Sequence, residues 1–515
     1  MFSSGAPLLS HLAAAAADRD PGGPALVGSD ETLDHESFAR RVAQLGSALV
    51  SLGVAPGDRV AVFAPKSIET FVAMHASMYA GAIAAPVDPF APEAVVSEVV
   101  RELAPTAVVL APATAGRWPA HSGIRVAVGA TGGDAPQLAW DEVGTAGDGG
   151  PVNRRPSDPA YVLTTSGSTG RPKCITHTHA SGLRYAELAA ECYELRPDDR
   201  MANVAPFHFD QSTFELYAAP LAGAATVLVP DVLLRFPAGV SELLERERVT
   251  TWYSVPTILQ QLLERGALDR RDLSALRWVL FGGELFPPGR LRQLMALLPG
   301  ARFSNAYGPA EVNQCTHHHL SGPPVDDAPI PIGVAWPAAE LRLVDADEAT
   351  LEGAAQGELL VSAPTAMAGY WGRPDLDERA FVTDGSPGGR RWYRTGDVVD
   401  RDDDGLLTFV GRIDRQVKVR GVRVELESVE SVLGSVAGVT GGAAVVVDDP
   451  DAPFVALVES TSVADVGAVR QALRAALPPA AIPDRIVIVP ALPRSTSGKV
   501  DSNAAADLLE RGVTT

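Results

Sequence analysis

The stretch RVAVFAPKSIETFVAMHASMYAGAIAAPV, residues 59–87, decides the fold class. An apolar run at 59–64 is typical of a buried strand, and a second run follows at 83–87. Between them, residues 68–79 have helical periodicity and end before Gly81. A strand, a helix and a strand in this order predict a βαβ unit with parallel strands.

The same alternation continues along the chain and indicates a mostly parallel sheet with helices on both faces. The further predicted strands are 225–229, 251–254 and 278–281, and the predicted helices are 240–247 and 258–264. We therefore expect an α/β fold over residues 1–330.

The pattern of apolar and polar residues changes after residue 330. Short apolar runs between Gly- and Asp-rich turns predict a small β-barrel-like subdomain over 331–411. Residues 412–515 then mix helices and strands and predict a smaller α+β domain. The N-terminal core domain is thus expected at 1–411.

Composition excludes several classes of partner. The 515 residues carry a formal charge of −20, which argues against a nucleic-acid surface and an anionic membrane. The three cysteines form no disulfide framework, which favours a reducing compartment, the cytoplasm. The N-terminus predicts an amphipathic helix rather than a signal peptide, and no uninterrupted apolar segment reaches the roughly 18 residues of a membrane span.

A polar loop, TTSGSTGRPK at 164–173, follows an apolar strand at 160–163. Its glycines, hydroxyls and Lys173 offer unhindered N–H groups, O–H donors and one cation, which suit a phosphate chain. The spacing is not that of a Walker A motif, and a structural Gly/Ser turn is the alternative.

Four further segments follow in order: NAYGPAE at 305–311, YRTGD at 393–397, GRIDRQVKVRG at 411–421 and STSGK at 495–499. Together with the loop at 164–173 they resemble the core motifs of the adenylate-forming superfamily. That superfamily includes acyl-CoA synthetases, luciferases and the adenylation domains of nonribosomal peptide synthetases. The resemblance spans essentially the whole chain.

The resemblance implies that a carboxylic acid reacts with ATP to give an acyl-adenylate and pyrophosphate, and that a thiol then takes the acyl group. Two unit charges at about 4 Å repel by roughly 4 kcal/mol at an effective dielectric near 20, so cations and aligned donors must offset this repulsion. By resemblance Lys499 is the catalytic residue, Glu311 helps to hold Mg²⁺, and Asp414 is the hinge of a mobile C-terminal domain.

The resemblance also implies a nucleotide site in which Tyr307 stacks on adenine and Asp397 accepts from the ribose hydroxyls. Ala310 departs from the family, which commonly has threonine there. The implied nucleotide-binding residues are Thr165, Ser166, Gly167, Ser168, Thr169, Gly170, Lys173, Gly282, Gly283, Glu284, Asn305, Ala306, Tyr307, Gly308, Asp397 and Arg412.

The segment PFHFDQSTFE at 206–215 bears on the acid. It resembles the segment that places an aspartate against the substrate ammonium group in amino-acid-activating members, which makes Asp210 the expected partner of that group. Alternatively, Asp210 could be a helix N-cap, since Ser212 and Glu215 follow it. His208 is interpreted as a packed or gating residue rather than a metal ligand.

Aligning the motifs places a set of residues around the substrate side chain, and Phe281 with Phe214 and Tyr253 is expected to make the pocket shallow. The set is Asp210, Gln211, Phe214, Tyr253, Val279, Phe281, Ala306, Gln314 and Cys315. This predicts a small amino acid, alanine- or proline-like, or a small β-amino acid.

The expected acceptor is the phosphopantetheine thiol of a separate acyl- or peptidyl-carrier protein in natural-product biosynthesis, because the chain ends about 16 residues after Lys499 without a carrier motif. The alternative is an acyl-CoA synthetase that uses CoA itself. The run His317-His318-His319 is interpreted as a solvated strand or loop rather than a zinc site, because adjacent side chains point in different directions.

Overall fold

The computed structural model describes residues 8–119, 126–128, 137–138, 140, 143, 150–165, 171–384, 389–413, 416–419, 422–447, 452–460, 465–494, 505–506 and 509. The chain divides into two compact units. The first comprises Met1–Pro89, Glu102–Thr164 and Cys174–Ile413, and the second comprises Phe90–Arg101, Thr165–Lys173 and Asp414–Thr515.

The α-helices of the described residues are α1 (Leu12–Arg19), α2 (His35–Ser51), α3 (Ile68–Tyr79), α4 (Glu93–Leu103), α5 (His179–Cys192), α6 (Ala219–Ala222), α7 (Pro237–Arg246), α8 (Pro256–Arg265), α9 (Pro288–Leu297), α10 (Pro374–Ala380), α11 (Leu426–Gly434) and α12 (Val466–Ala476).

The strands are β1 (Pro24–Val27), β2 (Thr32–Asp34), β3 (Arg59–Phe63), β4 (Ile83–Pro86), β5 (Ala107–Leu110), β6 (Val126–Val128), β7 (Gln137–Leu138), β8 (Pro159–Thr165), β9 (Lys173–Thr178), β10 (Arg200–Asn203), β11 (Ala225–Leu228), β12 (Thr251–Ser254), β13 (Trp278–Gly282), β14 (Arg302–Tyr307), β15 (Thr316–Leu320), β16 (Val334–Ala335), β17 (Glu340–Val344), β18 (Thr350–Leu351), β19 (Ala355–Ser362), β20 (Gly369–Tyr370), β21 (Phe381–Thr383), β22 (Arg391–Arg401), β23 (Leu407–Arg412), β24 (Gln416–Val419), β25 (Val422–Glu425), β26 (Val439–Val446), β27 (Phe454–Ser460) and β28 (Arg485–Val489).

Two large mixed sheets form the body of the first unit. One has nine strands in the order β16-β15-β14-β13-β12-β10-β11-β1-β2, and the other has eight in the order β20-β9-β8-β4-β3-β5-β6-β7. Neighbouring strands β10 to β14 are parallel, while β15 runs antiparallel to β14. The βαβ unit predicted at 59–87 is β3-α3-β4, in which the two strands pair in parallel.

Local chemistry sets the ends of these elements. The Ser67 hydroxyl accepts from the backbone N–H of Thr70 and caps α3, and Gly81 just beyond the helix takes a left-handed φ of +74°. Proline in the first turn of α7, α8 and α9 fixes φ where no intrahelical N–H bond is needed.

The two faces of the nine-stranded sheet belong to different cores. Side chains alternate along a strand, so Leu280 of β13 points with Tyr253 of β12 into the larger core. Val279 and Phe281 point into the second core, against α7, α8 and α9. This division of faces determines which residues can reach the substrate pocket.

The β-rich region of the first unit is a six-stranded antiparallel sheet in the order β18-β17-β19-β22-β21, with β23 paired to β22. In the second unit, β26, β27 and β28 form a three-stranded sheet, and α11 and α12 pack on one of its faces through Val429, Leu433 and Val469. A β24–β25 hairpin precedes α11.

The predicted fold class, a large α/β N-terminal domain with a β-rich part and a smaller α+β domain, is confirmed by these layers and by the similar solved structures given below. The compact units separate between Ile413 and Asp414, two residues beyond the boundary expected from texture. Most of the helix expected after residue 489 lies outside the described residues.

Candidate active site

Asp397 lies at the centre of a buried polar group formed by two paired strands. It occupies β22 opposite Arg412 of β23, and the Arg412 guanidinium donates to one of its carboxylate oxygens. The hydroxyl of Tyr307, from β14, donates to the other oxygen. Burial, followed by the nearby Asp397 carboxylate, raises the pKa of Tyr307 well above its usual value, so the phenol stays a donor.

The turn after Tyr307 brings Glu311 into the interior. A Cβ at Gly308 would lie 2.1 Å from the backbone oxygen of Asn313, so only glycine fits there. Glu311 has no exposed surface, and the Tyr370 hydroxyl donates to its Oε1 at 2.8 Å. This bond fixes the direction of a buried carboxylate at the end of β14.

The carbonyl of Ala310 pairs with His177 Nε2 at 2.9 Å. On the other side of the turn, Asn305 donates from its side-chain amide to the Pro331 oxygen at 2.9 Å. These bonds hold the backbone of the turn from two directions.

The end of β13 carries the predicted glycines. A Cβ at Gly282 would lie 2.1 Å from the Ala306 oxygen, and Gly283 has a φ of +91° that favours glycine. Glu284 accepts from both the backbone and the hydroxyl of Thr257, at 3.2 and 2.6 Å, and so stabilises the start of α8.

The loop at 165–173 is only partly described. Thr165 ends β8 and Lys173 begins β9, and within the second unit Lys173 Nζ lies 2.9 Å from Glu425 Oε1. The other predicted members, Ser166, Gly167, Ser168, Thr169 and Gly170, lie outside the described residues, as do Lys499 and Asp414.

Asp210 begins a short turn, Asp210–Ser212, and is half-buried. Its carboxylate lies close enough to Tyr253 and Tyr161 to raise the pKa of both phenols, although burial is the larger cause in each case. Gln211 next to it donates to the Gly282 oxygen at 3.1 Å. The structure therefore brings the 206–215 segment against the ends of β12 and β13.

Aromatic rings and the amide of Gln314 pack next to Tyr253. Phe214 meets Tyr253 and Tyr193 edge to face, each with ring centroids 5.7 Å apart. The Gln314 amide nitrogen pairs with the Tyr193 hydroxyl at 2.5 Å, while its amide oxygen is buried without a hydrogen-bond partner. Cys315 is fully buried, and its Sγ lies 3.7 Å from the Tyr307 oxygen.

The expectation that Val279 and Phe281 line this pocket is wrong. Both point to the opposite face of the sheet, where Phe281 packs edge to face on Phe286 at 5.1 Å. The residue of β13 that faces the pocket side is Leu280, which stands opposite Tyr253 in the parallel register. The alignment misplaced the strand by one residue, and such a slip reverses the face of every side chain.

This site lies within a chain whose similarity to known proteins is extensive. The AMP-binding enzyme family matches residues 13–371, and the AMP-binding enzyme C-terminal domain matches residues 428–499. The first match covers more than half of the chain. The chain belongs to the AMP-binding enzyme family. The resemblance to the adenylate-forming superfamily is confirmed, and membership of this family implies ATP as a substrate.

Two curated relatives of this AMP-binding enzyme match over nearly their whole length. The L-proline--[L-prolyl-carrier protein] ligase of Pseudomonas fluorescens is 32% identical over 96% of this chain and 97% of its own. The ligase of the same name from Streptomyces coelicolor is 35% identical over 93% and 92%. The amide bond synthetase McbA from Marinactinospora thermotolerans superposes with a TM-score of 0.85 at 26% identity, over 97% of this chain and 99% of that one.

The AMP-binding enzyme also contains a buried ionic group that the sequence reasoning missed. Lys66 Nζ, almost fully buried, lies 3.4 Å from Asp231 and donates to the oxygens of Asn203 and Val204 at 3.2 and 2.5 Å. The signal in the sequence was a lysine three residues beyond the apolar strand β3, where a buried charge needs a partner.

Glu215 lies beside that group. It is 1% exposed, and Asn203 Nδ2 donates to its Oε2 at 3.0 Å. Burial raises the pKa of Glu215 to about 8, while the bond from Asn203 opposes the shift. A lone glutamate in the apolar run 214–222 was the available signal in the sequence.

His208, 4.0 Å from Asp88, has a pKa lowered by burial.

None of the helices among the described residues is long and apolar enough to cross a membrane.

Proposed function

We propose that the chain activates a small amino acid with ATP as an aminoacyl-adenylate and transfers it to the phosphopantetheine thiol of a separate carrier protein. The observation that carries the proposal is the half-buried carboxylate of Asp210, which lies near Tyr253 at the ends of β12 and β13. We place the reaction in the cytoplasm, where ATP and reduced thiols are available.

A carboxylate in this position selects for a positively charged partner. Removing one member of a buried ion pair commonly costs about 3–5 kcal/mol, because the other charge is left desolvated. We propose that an α- or β-ammonium group of the substrate pairs with Asp210, a contact that a fatty or aryl acid cannot make. This favours an amino acid over the substrates of an acyl-CoA synthetase.

The pocket walls favour a small side chain. Phe214, Tyr253 and Leu280 are buried on the same face of the sheet. The backbone of β14 lies so close to Gly282 that no side chain fits at that position. Phe281 does not contribute to this limit. The two relatives named for L-proline make a proline-like substrate the first one to test among small amino acids.

In the first step a substrate carboxylate oxygen bonds to the α-phosphorus of ATP while the bond to the β-phosphate breaks and pyrophosphate leaves. We propose that Asp397, fixed by Arg412 and Tyr307, accepts from the ribose hydroxyls. The ammonium of Lys499 would meet the charge that grows on the reacting oxygens, and the loop at 165–173 would bind the β- and γ-phosphates. In the second step the thiol loses its proton as its sulfur bonds to the acyl carbon, and AMP leaves as the bond between the acyl carbon and the phosphate oxygen breaks.

Glu311 fits a magnesium ion, because Mg²⁺ in such sites is held by one or two carboxylates together with substrate phosphates. Its orientation by Tyr370 supports this role. When bound, the ion would neutralise charge on the phosphates. Asp414 is proposed as the hinge of the C-terminal domain, with a domain boundary between Ile413 and Asp414 as the supporting observation.

Amino-acid-dependent ATP–pyrophosphate exchange across a panel of small α- and β-amino acids tests the proposal. Each amino acid is paired with its des-amino analogue, for example L-proline with cyclopentanecarboxylate. Asp210→Ala should lower kcat/KM for the amino acid selectively, while Asp272→Ala, at an exposed site, should change neither.

Equal losses for both members of each pair would contradict the ammonium contact. Acceptor choice is measured separately, by following transfer to a phosphopantetheinylated carrier protein or to free CoA. Faster transfer to CoA would favour the acyl-CoA synthetase alternative.

A further inference from the structure

Three side chains with metal-binding atoms meet on the first unit, where β15 pairs with β14. Cys192 ends α5, and His317 and His319 lie two residues apart on β15. One donor atom from each residue lies within 4.8 Å of the other two, and Cys192 Sγ is 3.8 Å from His319 Nε2. Adjacent histidines of the run at 317–319 point in different directions, but His317 and His319, two residues apart, share a face of the strand.

A neighbouring hydroxyl fixes the direction of the His319 ring. His319 Nδ1 lies 2.9 Å from the Ser304 hydroxyl, directly across the β14–β15 pair. A proton on Nδ1 donates to that hydroxyl and leaves the lone pair of Nε2 facing the sulfur of Cys192. Metal-binding histidines usually have such a second partner.

His317 supplies a second, independent observation. Its Nδ1 atom is buried and has no hydrogen-bond partner. Burial, followed by the charges of neighbouring groups, lowers the pKa of His319 to about 4, and burial also lowers the pKa of His317. The neutral imidazole is the form that binds metals. A hydrogen bond from the Cys192 thiol to His319 would explain those two residues but leaves His317 Nδ1 unsatisfied.

We propose that Cys192, His317 and His319 form a binding site for Zn²⁺, with water as the fourth ligand. One thiolate and two imidazoles are a donor set that zinc prefers. Tetrahedral zinc with ordinary bond lengths places sulfur and nitrogen about 3.6 Å apart and two nitrogens about 3.3 Å apart. The 3.8 Å sulfur–nitrogen distance is close to this value.

Binding releases a proton. Burial raises the pKa of the Cys192 thiol to about 12, so zinc must displace the thiol proton to solvent as the Zn–S bond forms. His319 is exposed and Cys192 is half-buried, which gives the ion a path from solvent.

The site would tie the end of α5 to β15 beside the substrate pocket. Tyr193, which follows Cys192, contacts Phe214 and Gln314 of the pocket wall and packs on the ring of His319. Zinc bound here would stabilise this wall, and its role differs from that of the magnesium ion proposed at Glu311.

The test uses the full chain without a histidine tag, freed of metal by a chelator and kept without ATP. Co²⁺ alone is titrated first, because a cobalt–thiolate bond gives a charge-transfer absorption in the near ultraviolet. We expect one equivalent to bind, Zn²⁺ to displace it, and Zn²⁺ to raise Tm. Cys192→Ser should abolish the absorption, and His319→Gln should weaken binding at least about 10-fold.

His318→Gln is the matched control, because His318 stands opposite Asn305 on the other face of β15. It should keep the absorption, the affinity and the Tm rise. The proposal is overturned if the absorption persists in Cys192→Ser, if no saturable binding occurs, or if His318→Gln weakens binding as much as His319→Gln. Circular dichroism of each variant verifies the fold, and His317→Gln, which should also weaken binding, replaces His319→Gln if that variant does not fold.

Discussion

Leu280 and Phe281 are adjacent on β13, and the structure predicts different consequences for truncating each of them. Both side chains are fully buried. Leu280 faces Tyr253 on the pocket side, while Phe281 packs against Phe286 in the other core. Leu280→Ala should therefore enlarge the substrate pocket, and Phe281→Ala should leave a cavity behind the sheet.

Both substitutions should reduce the stability of the fold, but only Leu280→Ala should also change the substrate preference. Leu→Ala in a core typically costs about 2–5 kcal/mol of stability and Phe→Ala about 3–5 kcal/mol, so both variants should unfold at lower temperature. A single methylene in an apolar pocket changes substrate discrimination by roughly 10- to 200-fold. Leu280→Ala should shift the preference toward the larger substrate by at least the lower of these factors.

The assay is ATP–pyrophosphate exchange below the Tm of either variant. The measured quantity is the ratio of kcat/KM for a substrate with one extra methylene to that for its parent, such as piperidine-2-carboxylate to L-proline. The fraction of folded enzyme cancels in this ratio. An equal shift in Phe281→Ala, or no shift in Leu280→Ala, would refute the assignment of faces.

Three further predictions concern the nucleotide site, the C-terminal lysine and the buried glutamate. Asp397→Asn should raise the KM for ATP about 10- to 100-fold through the loss of a charged acceptor, with the amino-acid KM little changed in the same exchange assay; an unchanged ATP KM would exclude Asp397 from the ribose. Lys499→Ala should lower exchange at least about 100-fold while ATP binding, measured by calorimetry, stays nearly intact, and Lys418→Ala serves as the control that keeps exchange. Glu215 has a folded-state pKa of about 8, above its unfolded value, so its contribution to stability is present at acid pH and is lost as pH rises from about 4.5 to 8. Glu215→Gln should remove that pH dependence from urea-unfolding midpoints measured at pH 5 and 8, and an unchanged pH profile would show that this carboxyl is not buried as described.

Local sequence determined much of the fold. The bounds of α3 were predicted to the residue, Ile68–Tyr79, because helical periodicity and the glycine just beyond the helix, Gly81, are local signals. The strand at 251–254 was predicted equally well. Family membership also followed from the sequence, since five motifs keep their order regardless of how the chain folds around them.

Pairings between distant segments could not be predicted in the same way. Whether Leu280 or Phe281 faces the pocket depends on the register of β13 against β12, and a shift of one residue reverses the answer without changing the hydrophobic pattern of a fully buried strand. Lys66 and Asp231 are 165 positions apart, and nothing local to either names the other.

The sequence by itself determined the family, the element types and the residues that carry charge or hydroxyl groups. Only the tertiary structure decided which of those residues meet, as with Cys192 and His319, separated by 127 positions. The physical reason is that helix and strand propensities act over a few neighbouring residues, whereas sites are formed by contacts that exist only once sheets are paired and helices are packed on them.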